Sequence, residues 1–229
     1  MSCRRPLVAV AHGSRDPAAA AATADLVAEV RRQRPGLVAR EAFLEQAEPR
    51  LAPVLADVGP GAVVVPLLLT AAFHSGVDLP AQLAAADPTA VRADVLGPDP
   101  LLVTALERRL AEEGVGPGDP STAVVLVAAG SADVAAHRTV AQVALDWASR
   151  GWWAVVPAYA SAAPPAPAEA VEALRRRGAP RVAVASYLLA PGLFADRLKD
   201  SGADVVSAPL GAAPEVADVV LARYDAAEG

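Results

Sequence analysis

The sequence predicts an α/β protein built from two similar parallel-sheet α/β domains related by internal duplication. Short apolar, β-branched runs alternate with longer amphipathic ones along the 229 residues, which is the pattern of strand–helix–strand units whose sheet is covered on both faces. One stretch, Gly114-Val115-Gly116-Pro117-Gly118-Asp119-Pro120, interrupts that alternation near the middle and precludes regular structure. The order of elements then repeats, and so does part of the sequence. Two domains are expected, at residues 1–115 and 121–229.

The first strand is Leu7–Ala11, followed by a helix from Pro17 to Arg34; Pro17 suits a first helical position and Asp16 the cap before it. A strand at Leu37–Leu44 and a helix from Pro49 to Val58 come next. Gly59-Pro60-Gly61 breaks the chain before a strand at Ala62–Leu69. A helix at Leu79–Ala86, a strand at Val91–Val95 and a helix at Pro100–Glu113 complete the first half. In the second half, strands are expected at Ala123–Ala128, Trp152–Pro157, Arg181–Ser186 and Asp204–Ser207. Helices are expected at Val134–Ser149, Pro167–Arg177, Leu193–Asp200 and Pro214–Tyr224.

Composition bounds the function. Apolar residues make up 54% and charged residues 20%, so the chain can bury a core and is not disordered. A net charge of −6 argues against a general binder of nucleic acid or anionic membrane. A single cysteine, Cys3, excludes a disulfide framework and fits a reducing, cytoplasmic compartment. The five apolar residues Leu7–Ala11 are too few for a signal-peptide core. The uncharged stretch Val58–Val77 carries prolines, glycines and His74 that a bilayer helix tolerates poorly.

The two halves align at their strand ends. LVAVAHGSRDPAA matches VVLVAAGSADVAA, AFLEQAEP matches AYASAAPP, and VVVPLLLTAAFH matches VAVASYLLAPGLF. In open α/β sheets, ligands bind beyond the carboxyl ends of the strands. There the first half presents His12, Glu45 and His74, one after each of its first three strands. Two imidazoles and a carboxylate suit Fe²⁺, Co²⁺, Ni²⁺ or Zn²⁺ rather than Mg²⁺ or Ca²⁺. The duplication supplies an internal control, because the aligned positions hold Ala129, Ser161 and Phe194. Scaffold residues persist while all three coordinating side chains vanish together. One competent half is therefore expected beside one depleted half.

These residues resemble the sirohydrochlorin chelatase family, the class II chelatases that insert cobalt or ferrous iron into sirohydrochlorin. The resemblance lies in His12-Gly13-Ser14-Arg15, in Phe43-Leu44-Glu45 with Glu48-Pro49, and in Pro66-Leu67-Leu68-Leu69 leading to His74 and Asp78-Leu79-Pro80. It covers the first half closely and the second through the degenerate repeat, as in the long form of the family with duplicated halves. It implies a chelatase-like fold with a cleft between two domains, and it implies that His12, Glu45 and His74 coordinate the incoming metal and carry the catalysis. The chain departs from the pattern at Ala72, where relatives commonly have glycine, and in Ser75-Gly76-Val77, which lacks an arginine often found there.

The expected chemistry follows. Metal insertion needs a metal held by few ligands and an acceptor for two pyrrole protons, and imidazole accepts protons near neutrality. Sirohydrochlorin is rich in carboxylates, so Arg15 and Ser14, with the N–H groups opening the first helix, are the candidate substrate-binding residues. Co²⁺ or Fe²⁺ enters as substrate, with no permanently bound cofactor, for cobalamin or sirohaem biosynthesis. A duplicated chain is expected to act as a monomer. The alternative is a non-catalytic metal-delivery or tetrapyrrole-binding protein with the same ligands. A non-haem iron oxygenase shares the ligand set but not the scaffold, and no Walker A or G-x-G-x-x-G motif points to a nucleotide enzyme.

Other residues read as structural. His137 sits mid-helix as a surface residue, Glu48 serves a helix N-terminus, and Arg175-Arg176-Arg177 form a solvated helix end. Trp147, Trp152 and Trp153 are core or cleft-wall aromatics, with tetrapyrrole stacking as the functional reading. Asp78 either orients His74 or caps the following helix.

Overall fold

The computed structural model describes residues 4–70 and 73–229 and, within the helix that begins at Phe73, the side chains from Leu79 onward. Cys3 and Ala72 lie outside these residues, as do the side chains of His74 and Asp78. In chain order the elements are β1 (Leu7–Ala11), α1 (Pro17–Gln33), β2 (Ala39–Phe43), α2 (Leu51–Val58), β3 (Val63–Pro66), α3 (Phe73–Ala86) and β4 (Val91–Arg92). They continue with α4 (Pro100–Glu112), β5 (Thr122–Ala128), α5 (Val134–Ala148), β6 (Ala154–Tyr159) and α6 (Pro167–Arg176). Then come β7 (Arg181–Tyr187), α7 (Leu193–Leu198) with a 3₁₀ turn at Lys199–Ser201, β8 (Val205–Val206) and α8 (Pro214–Glu228).

Two four-stranded parallel sheets result, ordered β2-β1-β3-β4 and β6-β5-β7-β8. The central strands are the most apolar: Leu7–Val10 of β1 and Ala123–Val127 of β5 are fully buried. That burial is why they read as continuous β-branched runs rather than as an alternation. Asp16 caps α1, its carboxylate accepting from the Ala18 N–H at 2.9 Å, and Asp133 caps α5 in the same way through Ala135.

The compact units are not the sequence halves. One unit comprises Met1–Asp99 with Gly211–Gly229, and the other is Pro100–Leu210. The last helix of each half has changed places. The face of α4 made by Leu102, Val103, Ala105, Leu106 and Leu110 is buried in the second unit, where the helix packs on β7. Helix α8 packs on α1, β3 and β4 of the first unit. Amphipathicity dictates that a helix must bury a face, but not which sheet receives it, so the expected boundary at 115–121 marks the sequence repeat and not the unit.

The exchanged helices are tied down by one interaction used twice. Arg223 of α8 donates to the carbonyls of Val95 and Leu96, both at 2.8 Å, and to Asp99 at 3.0 Å. Arg109 of α4 donates to the Leu210 carbonyl at 3.2 and 2.9 Å. Arg223 stands 114 residues after Arg109, and Leu210 stands 114 after Leu96, so the two anchors are repeat equivalents. Both arginines are mostly buried, and hydrogen bonds from a charged donor to otherwise unpaired carbonyls are costly to remove. Arg223→Ala should lower stability by about 2 kcal/mol, read as a shift of the denaturation midpoint; an unchanged midpoint would remove the anchor.

Three local expectations need correction. Helix α3 begins at Phe73, not Leu79, so His74 occupies its first turn rather than a loop. Pro80 lacks the N–H a helix interior uses, so it suits the first turn of a helix starting at Leu79 better than the position it holds inside α3. Helix α2 begins at Leu51, preceded by Arg50 as its cap residue. His137 is half-buried, its Nε2 lying 2.7 Å from the Ser131 carbonyl and its ring 4.6 Å from that of Tyr159. The same burial pushes the Tyr159 phenol upward. Trp147 and Trp152 are core, packed edge to face at 5.6 Å with the Trp147 N–H on Glu107. Trp153 lies under the Arg177 guanidinium. No helix among the described residues is long and apolar enough to cross a membrane.

Candidate metal centre

The parallel register sets Ala11 opposite Phe43, so the residues that follow β1 and β2 leave the sheet side by side. Their turns are locked together by the backbone. The Leu44 N–H donates to the Ala11 carbonyl at 3.1 Å, and the Glu45 N–H to the His12 carbonyl at 2.9 Å. Gly13 makes that approach possible: its φ is +102°, and a Cβ there would lie 1.7 Å from the Glu45 carbonyl oxygen. Only glycine fits both constraints.

On this support His12 Nε2 and Glu45 Oε1 lie 2.7 Å apart, with side chains 51% and 50% exposed. Gln46, at φ 62°, places its amide nitrogen 3.4 Å from Glu45 Oε1. Arg50 donates to the Leu44 carbonyl at 2.9 Å and also meets Glu48, whose carboxylate accepts the Arg50 N–H ahead of α2. An exposed histidine–carboxylate contact adds little to folding stability. It is thus a pair that the fold presents rather than one the fold needs.

His74 lies in the first turn of α3, the helix that follows β3, the other neighbour of β1. Two of the three expected ligands are therefore seen in contact, and the side chain of the third lies outside the described residues. Among the described residues no three His, Cys, Asp or Glu side chains converge. Ser14 is turned inward to the loop, its Oγ accepting the Asp16 N–H at 3.1 Å. Arg15 is exposed, and no described residue pairs with its guanidinium.

The second half repeats the support without the ligands. Gly130 has φ +95°, and a Cβ there would lie 1.9 Å from the Ser161 carbonyl. Ala162 sits at φ 61°, as Gln46 does at 62°. Ser131 Oγ accepts the Asp133 N–H at 3.0 Å, as Ser14 does for Asp16. Where Glu45 reaches His12, the Ser161 hydroxyl folds back onto the Ala129 carbonyl at 2.8 Å. A shared scaffold thus carries a histidine–carboxylate pair in one copy and a closed turn in the other. The pair was legible in the sequence from its position at two strand ends, with the ligand-free repeat as control. It did not find Gly13 as the contact residue, because a clash with the next turn is a tertiary fact.

The CbiX family model matches this chain twice, over residues 6–113 and 123–227, with the glycine-rich linker between the matches. No curated protein matches the sequence. The fold is similar to that of SirB from Bacillus subtilis solved with Fe³⁺, at 24% identity and a TM-score of 0.81, covering 99% of this chain and 96% of that one. It is similar to the CbiX described as the terminal enzyme for siroheme biosynthesis in denitrifying bacteria, at 24% identity and a TM-score of 0.73 over 97% and 99% of the two chains. A multi-domain protein of Deinococcus radiodurans with structural similarity to chelatases shares 25% identity and a TM-score of 0.72, over 97% of this chain and 55% of its own. Because the model covers nearly all of both repeats and the fold agrees, this chain belongs to the CbiX family.

Proposed function

We propose that this protein is a sirohydrochlorin chelatase, inserting Co²⁺ or Fe²⁺ into a sirohydrochlorin-type tetrapyrrole for sirohaem or cobalamin synthesis. The reading is supported chiefly by the exposed His12–Glu45 pair at the carboxyl ends of β1 and β2, present in one repeat and absent from the other. Membership of the CbiX family supports it independently, as do neighbours named as sirohydrochlorin chelatases with iron or cobalt.

In this mechanism His12, Glu45 and His74 hold the metal as substrate. Three protein ligands leave positions open for macrocycle nitrogens, so the metal changes partners without being stripped bare. His12 Nε2 and Glu45 Oε1, 2.7 Å apart, accept one pyrrole proton each as the metal leaves, and both protons pass to solvent before the next metal ion binds. Binding therefore weakens as pH falls, because protons compete for the ligand atoms. Arg15, exposed and without a partner among the described residues, binds a substrate carboxylate, and the Ser14 hydroxyl assists through its hydrogen. The chain performs this as a monomer.

Anaerobic absorbance of sirohydrochlorin with Co²⁺ or Fe²⁺ tests the proposal. Multiple-turnover metallation by the wild type is expected. Stoichiometric binding with no acceleration over the uncatalysed rate would overturn it in favour of a delivery protein. Arg15→Ala should raise the half-saturating tetrapyrrole concentration by about fivefold, and an unchanged value would remove Arg15 from substrate binding.

A further inference from the structure

The turns that follow β2 and β6 share a backbone and differ at every polar position of the first. In both, a hydrogen bond closes around one residue of positive φ. The Ala47 N–H donates to the Glu45 carbonyl across Gln46, at φ 62°, and the Ala163 N–H to the Ser161 carbonyl across Ala162, at φ 61°, each at 2.8 Å. A γ-turn of positive φ is the rare, strained form. The turns also close alike, the Phe43 N–H on the Pro49 carbonyl at 2.9 Å and the Tyr159 N–H on the Pro165 carbonyl at 3.0 Å. The side chains do not match. Glu45, Gln46, Glu48 and Arg50 stand where the second repeat has Ser161, Ala162, Pro164 and Ala166.

Alanine and proline therefore suffice to hold this turn within the same chain, and the polar side chains of the first copy need another reason. Their contacts supply it. Gln46 Nε2 donates to Glu45 Oε1 at 3.4 Å, the same oxygen that meets His12 Nε2 at 2.7 Å. Arg50 Nη1 donates to the Leu44 carbonyl at 2.9 Å, one residue before Glu45. Its Nε donates to Glu48 Oε1 at 3.4 Å and its backbone N–H to Glu48 Oε2 at 3.0 Å. Arg50 thus ties the end of the turn to its beginning. These contacts are exposed, and exposed pairs add little to folding.

We infer that Gln46 and Arg50 are positioning residues for metal capture: Gln46 fixes the Glu45 carboxylate against His12, and Arg50 pins the turn that carries it. The inference rests on the proposed function and deepens it by assigning part of the site's metal affinity to two side chains beyond its ligands. An exposed glutamate samples several rotamers, and metal binding must select one of them at a cost in entropy. Partners that orient a ligand in advance are worth about one to two decades of metal affinity. The second repeat, with no ligand to orient, carries neither residue.

Titration of the whole chain with Co²⁺ alone, followed by the visible absorption of the bound ion, tests the inference. Gln46→Ala and Arg50→Ala copy the second repeat, so the turn should keep its backbone. Each should weaken cobalt binding about tenfold with an unchanged denaturation midpoint. The cobalt bands should also shift in Gln46→Ala, since the carboxylate meets the ion in another orientation. Arg50→Lys keeps a cationic donor for the Leu44 carbonyl and should recover most of the loss. Arg176→Ala, which breaks a similar exposed pair with Glu172 in the second unit, is the control and should bind cobalt as the wild type does. Wild-type cobalt affinity in both alanine variants would overturn the inference and leave the proposed function standing. So would a loss of affinity that comes with a lowered midpoint and is not recovered by Arg50→Lys, which would mark a purely structural role. Failure of the wild type to bind cobalt would instead overturn the proposed function.

Discussion

Alanine in place of Gly13 should destabilise the first unit and weaken metal binding in one step. The new Cβ would stand 1.7 Å from the Glu45 carbonyl oxygen and 2.9 Å from its carbon. No rotamer relieves this, because both partners are backbone. The φ of +102° adds a second penalty that alanine cannot avoid. Either the turn after β2 moves, carrying Glu45 away from His12, or the strand ends separate. A loss of about 3 kcal/mol is expected, with cobalt affinity lowered at least tenfold. Gly130→Ala is the matched control, since its Cβ would lie 1.9 Å from the Ser161 carbonyl. It should cost similar stability and leave cobalt affinity intact. Denaturant midpoints and cobalt titrations on the two variants decide the matter; a Gly13→Ala protein that binds cobalt like the wild type would sink the argument.

His12→Ala should reduce metallation by about a hundredfold or more, without a matching loss of stability. Outer partners of metal ligands already cost one to two decades when removed, so losing the ligand itself should cost no less. The His12–Glu45 contact is half exposed on both sides, and such contacts contribute about 1 kcal/mol at most. The melting temperature should therefore move little. Glu45→Gln separates charge from shape: it keeps the volume, removes the anionic ligand and should weaken metal binding while the turn survives. Full turnover in His12→Ala would place the chemistry elsewhere.

Much of this was legible in the sequence, for reasons tied to particular residues. Leu7–Val10 and Ala123–Val127 announce buried parallel strands because both faces of their sheets are covered. The His12–Glu45 pair was legible because both residues follow strand ends, and the repeat offers a comparison within one chain, with Ala129 and Ser161 as the blank copy. What escaped is tertiary. Nothing in α4 or α8 says which sheet their apolar faces will meet. The N-terminus of α3 was hidden because Pro80 looks like a first-turn residue. His137 read as a surface side chain because its partners, Ser131 and Tyr159, come from separate segments.

The exchange of α4 and α8 also sets an order of assembly during synthesis. The second unit, Pro100–Leu210, is contiguous in the chain, whereas the first needs Gly211–Gly229 to cover its sheet. Domains fold as units while the chain is being made. The portion made first is therefore completed last, after the whole of its neighbour has left the ribosome. Until α8 arrives, β3, β4 and α1 lack the helix that packs on them. The nascent protein then depends on the His12–Glu45 half staying soluble in an unfinished state, and the unit carrying the candidate metal site is completed only when translation has passed the repeat that lacks one.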